Sequence, residues 1–447
     1  MLHRKVNTFI RRFYSTSRNA LLLTGARQVG KTYSIREFGK TFKSFVEINF
    51  IENPEAVNLL KGAHSSQDLL LRLSTLTSQP LIKGETLIFF DEVQRCPDIV
   101  TAIKFLVDEG SYRYILSGSL LGVELKDLRS EPVGYMAIKD MYPMDFEEFI
   151  TNLGISETVV SSLREAWLKR IPVDSFVHQK LMELFRLYLI VGGMPAAVSK
   201  YIETNNLQEV MDVQQQIIRL YKRDIAQYDP SNKLYIEDIF NLIPPELNAK
   251  NKRFILKRLN ENAKFNRMEN SFLWLTNAGV ALPVYNVEEP KLPLLLSRSH
   301  NLFKLFQNDV GLLASQYAEG IQMRIIRGDK DINFGAIYEN VVAQELAAHG
   351  LTTYYYNNKK QGELDFIIEL NGKVLPIEVK SGKDYASHRA LSNVLQQESY
   401  GLPEAVVFNN DNLHTTEKII YAPVYMVMFL EKNNKAPAYY KIDLTGL

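Results

Sequence analysis

The run Ala20-Leu21-Leu22-Leu23-Thr24, followed at once by Gly25-Ala26-Arg27-Gln28-Val29-Gly30-Lys31-Thr32, constrains this chain more than any other stretch. A short apolar run of this kind reads as a buried parallel strand. After Lys31-Thr32 the pattern turns helical through Phe38, with Gly39 as a stop. Strand, glycine-bearing loop and helix together form the setting in which such a loop cradles phosphate. Gly25 and Gly30 let the backbone approach phosphate oxygens. The amides of Ala26, Arg27, Gln28 and Val29 converge there with the N-terminus of the helix. Lys31 reaches the β- and γ-phosphates, and Thr32 offers its hydroxyl to Mg²⁺. The expected ligands are ATP and Mg²⁺.

A partner motif narrows the reading. Thr86-Leu87-Ile88-Phe89-Phe90-Asp91-Glu92 is an apolar strand that ends in two carboxylates. Asp91 is suited to hold magnesium through water, and Glu92 to orient or deprotonate the attacking water. A third strand, Tyr112–Leu116, ends at Ser117-Gly118-Ser119, where a hydroxyl can touch the γ-phosphate or that water; Ser119 is favoured over Ser117. Further strands over Ser44–Phe50 and Tyr135–Met141 complete a parallel α/β sheet covered on both faces. An arginine finger would stabilise charge on the transferring phosphoryl group. Arg129 is the first candidate for it, with Arg27 and Arg95 as alternatives.

Gly-Ala-Arg-Gln-Val-Gly-Lys-Thr, Phe90-Asp91-Glu92-Val93-Gln94, Leu116-Ser117-Gly118-Ser119 and Met141-Tyr142-Pro143-Met144-Asp145-Phe146-Glu147-Glu148-Phe149 together resemble a prokaryotic AAA-type P-loop ATPase family. The resemblance spans nearly the whole chain. It implies a C-terminal half with a restriction-endonuclease-like, PD-(D/E)xK fold. Where that family often reads Val-Gly-Arg, this chain reads Val133-Gly134-Tyr135.

At 447 residues the chain exceeds one ordinary core. Hydrophobic content of 46% and charged content of 23% suit a soluble globular protein. No apolar run approaches the roughly 20 residues of a membrane span, and the basic N-terminus lacks the apolar core of a signal peptide; the expected compartment is the cytoplasm. Cys96 is the sole cysteine and reads as a packed thiol. With a net charge of +1, any nucleic-acid contact must come from local patches.

Residues 151–232 read as a helical linker unit. Within it, a helix over Phe176–Leu189 ends at Val191-Gly192-Gly193-Met194-Pro195, a sharp helix–helix turn. Arg223-Asp224 either pair with each other or face a neighbouring domain. Residues 233–290 read as three helices (Ile236–Ile243, Lys252–Glu261 and Phe272–Ala278) with a strand at 280–285, a winged-helix-like unit. Lys250, Lys252, Arg253, Lys257, Arg258, Lys264 and Arg267 give it a basic patch for phosphate contacts, or a solvated face in a packing module.

Beyond a proline- and serine-rich connector at 290–299, a second α/β pattern begins, within a domain running 291–447. A helix over Ala336–Leu346 carries Glu339. Strands over Thr352–Tyr356, Glu363–Leu370 and Lys373–Lys380 follow, the last two joined by Asn371-Gly372, a hairpin turn signal. Antiparallel pairing brings Asp365 to the end of the hairpin that bears Glu378 and Lys380, whose two-residue spacing puts them on one face. Asp365 and Glu378, with the Val379 carbonyl and Glu339, then form a candidate Mg²⁺ site for phosphodiester hydrolysis, and Lys380 positions water or phosphate. Gln396 and Gln397, on a helix over Ser387–Tyr400, are candidate backbone contacts.

Three readings of the whole follow. The first is an ATPase that controls a nuclease-like module acting on DNA or RNA. The second is a nucleotide-dependent assembly switch, a homo-oligomer whose C-terminal domain binds without cutting. The third, a motor, requires a ring and a finger in trans.

Overall fold

The computed structural model describes residues 2–62, 65–119, 134–228, 233–249, 252–254, 265–329, 332, 334–382 and 384–432. Arg129, Val133, Lys250, Lys257, Arg258 and Lys264 lie outside these, as does the side chain of Arg267.

The N-terminal sheet holds β1 (Ala20–Thr24), β2 (Ser44–Asn49), β3 (Thr86–Asp91), β4 (Arg113–Ser117) and β5 (Met136–Asp140) in the order β2-β3-β4-β1-β5, all parallel. Every residue of β3 is buried, because helices cover both faces of the sheet. The alternation of β1 splits its side chains between two cores. Ala20 and Leu22 join Ile88, Phe90 and Ile103 on one face. Leu21 and Leu23 join Phe89 and Ile115 on the other, and that second core continues without a break into the rest of the molecule. Because β4 lies between β1 and β3, its serines stand between the phosphate loop and the paired carboxylates.

The second sheet has eight strands: β6 (Ala281–Val287), β7 (Arg298–Gln307), β8 (Thr353–Asn358), β9 (Gly362–Leu370), β10 (Lys373–Val379), β11 (Ala405–Asn409), β12 (His414–Thr415) and β13 (Ile419–Pro423), in the order β12-β13-β11-β10-β9-β8-β6-β7. β9 and β10 pair antiparallel, and both residues of their turn, Asn371 and Gly372, have positive φ, as that tight hairpin requires. β10 runs parallel to β11, and the helix Arg389–Gln396 lies between them in the chain.

Three expectations change here. The strand after the helix Phe265–Asn277 is no isolated wing. It pairs antiparallel with β7 and parallel with β8, so the 290 boundary falls inside a hairpin of the larger sheet. The proline-rich connector runs only to Ser297, through a short 3-10 turn at Leu294–Ser297, and its last two residues, Arg298 and Ser299, already open β7. The prolines before it disguise a strand whose second half, Phe303–Gln307, is wholly buried. Residues 252–254 are not helical, and the rest of the helix expected over Lys252–Glu261 lies outside the described residues.

The helix Gly335–Ala348 is buried along one continuous run, Ala336 to Leu346. Its amides face backbone that no ladder satisfies. Asn340 accepts from the Gln307 amide at 2.8 Å and donates to the Gln307 carbonyl at 3.1 Å, and Gln344 accepts from the Val310 amide at 2.7 Å. Glu345 accepts from the Phe146 amide at 2.8 Å, which ties this helix to the N-terminal domain.

The Gly192-Gly193 turn, expected from sequence, is also a junction. It ends the helix Ser175–Val191, and the next helix, Pro195–Thr204, leaves at 120°. The Gly193 amide donates to Asp309 at 2.6 Å, and the Met144 amide donates to the Gly193 carbonyl at 2.7 Å. A β-carbon on Gly193 would lie 2.0 Å from the Met144 carbonyl oxygen, so only glycine fits. Among the described residues no single helix is long and apolar enough to cross a membrane. Gly193→Ala is expected to cost about 2–3 kcal/mol in urea denaturation. Gly382→Ala, where a methyl meets nothing, is expected to cost less than about 0.5 kcal/mol.

Candidate nucleotide site and C-terminal acid cluster

The phosphate loop leaves β1 and enters the helix Lys31–Gly39 through Gly30, whose φ of 95° is left-handed. Gly25 is required for a second reason. The chain after β5 presses on it, and a β-carbon would sit 2.1 Å from the Met141 carbonyl oxygen. Ala26 and Val29 are buried beneath the loop.

The loop is braced by residues far away in sequence. The buried Arg4 donates to the Val29 carbonyl and the Tyr142 carbonyl, both at 2.7 Å, and pairs with Glu148 at 3.1 Å. Arg27 pairs with Asp224 at 2.6 Å, and its carbonyl accepts from the Tyr221 hydroxyl at 3.1 Å. Both partners sit on the long helix Leu207–Tyr228. Of the two open readings of Arg223-Asp224, the structure therefore gives the second for Asp224, while Arg223 lines the nucleotide cleft. With its guanidinium engaged by Asp224, Arg27 is a brace of the loop in this state; Arg95 is exposed beyond the carboxylates.

Lys31 folds back into the loop, donating to the Gly25 and Ala26 carbonyls at 2.8 Å each. Burial pulls its ammonium down to about 8, against the opposing charges of Glu92 and Asp91. Thr32 donates to Asp91 at 3.2 Å. Asp91 also accepts from Asn49 at 3.2 Å and from the Ser117 hydroxyl. Burial raises its pKa, while the Ser117 bond offsets part of that rise. Magnesium is commonly held by one or two protein groups plus substrate phosphates, and Thr32 beside Asp91 fits that pattern.

Glu92 has a φ of 57°, a left-handed backbone for a non-glycine residue, of the kind found at functional sites. Its carboxylate accepts from Gln94 at 2.5 Å and from Ser119 at 3.2 Å. The two serines therefore divide their work, Ser117 on Asp91 and Ser119 on Glu92. Arg4, Asn49, Gln94 and Tyr221 were not singled out from sequence. Only Gln94 lay within a quoted motif, and no local pattern marks the others. The loop, Lys31, Thr32 and Glu92 open on a cleft of about 930 Å³, closed on the far side by Pro195, Ile202 and Arg223. That volume suits a nucleotide.

In the C-terminal sheet the hairpin brings Asp365 beside Glu378. The Val379 amide donates to Asp365 at 2.9 Å, and Lys380 pairs with Glu378 at 2.7 Å. Burial raises the pKa of Glu339 and the charge of Asp365 adds to that rise, while the charge of Glu339 adds to the rise at Glu378. Burial pushes Glu378 up to about 8, Asp365 adds to the rise, and Lys380 opposes it. One oxygen each of Glu339 and Glu378 is buried without a hydrogen-bond partner.

Lysines stand where an ion was expected. Lys252 pairs with Glu339, which removes it from the solvent-facing basic patch. Lys304, fully buried on β7, pairs with Glu363 at 2.7 Å and lies 3.9 Å from Glu339. Among the described residues no three acidic, histidine or cysteine side chains converge to hold a metal ion. The two unpartnered oxygens favour a cation, but ammonium groups already fill that role, so the residues present do not fit a resident Mg²⁺. Gln396 ends the helix Arg389–Gln396, and Gln397 bonds Ser399 at 3.1 Å. Lys304 escaped the sequence reading because its strand did; its only signal is a lone lysine between Phe303 and Leu305.

Residues 17–150 match the AAA domain family. Residues 182–322 and 334–426 match two domains of unknown function, DUF8612 and DUF4143. Uncharacterized proteins of Mycobacterium bovis and Mycobacterium tuberculosis are each 24% identical over 381 residues, covering 84% of this chain and 73% of theirs. Among solved structures, the Walker-type ATPase of Pyrococcus abyssi is similar at 15% identity and a TM-score of 0.43, over 71% of this chain and 96% of that one. The ORC1 protein of Aeropyrum pernix in complex with DNA is similar at 14% identity and a TM-score of 0.29, over 73% of this chain and 94% of that one. The N-terminal domain is an AAA-type P-loop ATPase domain.

Since Lys31 titrates near 8 without ligand, ATP affinity is expected to hold below that pH. Above it the neutral amine must take up a proton on binding, so affinity falls by up to about tenfold per pH unit. Titration of a fluorescent ATP analogue from pH 7 to 10 checks this, and Lys31→Arg, which does not titrate there, is expected to show no break.

Proposed function

We propose that this protein is a magnesium-dependent ATPase whose nucleotide cycle controls a nucleic-acid-directed, nuclease-like C-terminal domain. The observation that carries the first half is that Lys31, Thr32 and Glu92 line one cleft, with Asp91 behind them in hydrogen-bond contact with Thr32. On nucleotide binding, Lys31 exchanges the Gly25 and Ala26 carbonyls for phosphate oxygens. Thr32 and Asp91 would hold Mg²⁺, which would supply charge neutralisation on the phosphates. Glu92, aimed by Gln94 and Ser119, orients the attacking water and draws its proton. Ser117 keeps Asp91 in place. Arg27 links the loop to Asp224, so nucleotide state is read by the helix Leu207–Tyr228.

In the C-terminal domain the carboxylates are engaged by lysines instead of standing free as a ligand set for a catalytic metal, which weighs against cleavage and leaves binding of DNA or RNA as the first reading. The second reading, cleavage, is supported by Asp365, Glu378 and Lys380 sharing one end of a hairpin. Glu92→Gln is expected to lower ATP turnover by about 10²–10⁴-fold with binding retained. Lys31→Ala is expected to abolish nucleotide binding; unchanged turnover in Lys31→Ala refutes the ATPase assignment. In fluorescence anisotropy, labelled DNA or RNA oligomers are expected to bind the full chain with a chelator present. A Glu378-dependent cut in Mn²⁺ would instead establish the cleavage reading.

A further inference from the structure

We infer that the C-terminal carboxylate cluster is a metal-free site in which the buried ammonium of Lys304 takes the place of a divalent cation. The inference concerns the cluster named in the proposed function, but it rests on side-chain charge and geometry alone. Four carboxylates, Glu339, Glu363, Asp365 and Glu378, share this region with three ammonium groups, Lys252, Lys304 and Lys380. The three lysines are not equivalent. The side chains of Lys252 and Lys380 are 25% and 29% exposed, so each can swing into water. Lys304 has no exposure at all.

Its surroundings close it in on several sides. Glu363 lies 2.7 Å from the ammonium and Glu339 3.9 Å, and the ring of Tyr355 lies with its centre 5.0 Å below. The strand that carries it is fixed by pairing from Ala281↔Gln307 to Tyr285↔Phe303, so the side chain cannot leave by a backbone shift. The Glu339 oxygen facing Lys304 is buried and accepts no hydrogen bond, which leaves the ammonium as its nearby counter-charge.

A divalent ion needs several oxygens at about 2.0–2.6 Å. To supply them here, Glu339 must turn from two lysines and Glu378 from Lys380. The ion would then stand beside a buried like charge in a region of low dielectric, where repulsion is strongest. Lys304 therefore acts as the site's own cation. It holds Glu339 and Glu363 together with no metal to be gained or lost.

Mn²⁺ binding to the nucleotide-free full chain tests this, read from the electron paramagnetic resonance of free Mn²⁺. Asp91→Asn is carried throughout to remove the acid of the ATP site. No saturable site is expected while Lys304 is present. Lys304→Met is expected to create about one site per chain, at least about tenfold tighter than any residual binding, and Glu378→Gln is expected to remove it again. A saturable site in the Lys304-containing chain that Glu378→Gln abolishes overturns the inference. A folded Lys304→Met chain that gains no site overturns it equally. If circular dichroism shows Lys304→Met unfolded, Lys304→Met with Glu363→Gln, which removes one charge of each sign, takes its place with the same expected gain. Oligonucleotide binding measured on the same chains separates the two claims. Its absence would refute the nucleic-acid role and leave the Mn²⁺ result standing.

Discussion

Asp309 accepts the amides of Gly193 and Leu312 in a wholly buried position, and three parts of the chain meet there. Gly192 and Gly193 bring the helix Ser175–Val191 and Met144 of the N-terminal domain. Asp309 itself follows β7 of the second sheet. Burial lifts its carboxyl to about 6, and the backbone amides hold that rise in check. A charge so placed tolerates little displacement, because water cannot replace the bonds it would lose. Around this point the core runs continuously from the phosphate-loop sheet into the C-terminal sheet.

From that junction the nucleotide loop and the acid cluster are neighbours in a structural sense. Asn308, next to Asp309, donates to the Tyr221 hydroxyl at 3.4 Å, and Tyr221 donates to the Arg27 carbonyl. On the other side, Gln307 and Val310 bond Asn340 and Gln344 of the helix that carries Glu339. β7 also carries Lys304. One short segment thus touches the helix that grips the phosphate loop, the helix that presents Glu339, and the lysine paired with it. The loop and the cluster are held by the same buried polar contacts rather than by separate domains joined through a linker.

The nucleotide loop was legible because its chemistry is local. Backbone amides, Lys31 and Thr32 lie within eight residues, and the hydrophobic strand before them forces the context. The hairpin bearing Asp365 and Glu378 was legible for a similar reason, since Asn371-Gly372 fixes the turn and the turn fixes the register. What stayed hidden were side chains whose partners are distant: Arg4 under Val29, Tyr221 on Arg27, and Lys304 at Glu363. β7 was hidden as well. Its exposed first half and the prolines before it read as a connector, and only pairing with β6 makes it a strand.

By itself, the sequence determined a phosphate-binding loop, a buried strand that ends in Asp91-Glu92, and a hairpin that sets Asp365 against Glu378. Short-range periodicity and turn chemistry suffice for both. Tertiary structure alone decided which cations meet the C-terminal carboxylates and what braces the loop. A buried charge is settled by whatever group lies nearest in space, and the lysines that neutralise Glu339 reach its helix from 87 residues away in one case and from β7 in the other. No pattern along the chain encodes that proximity; packing does.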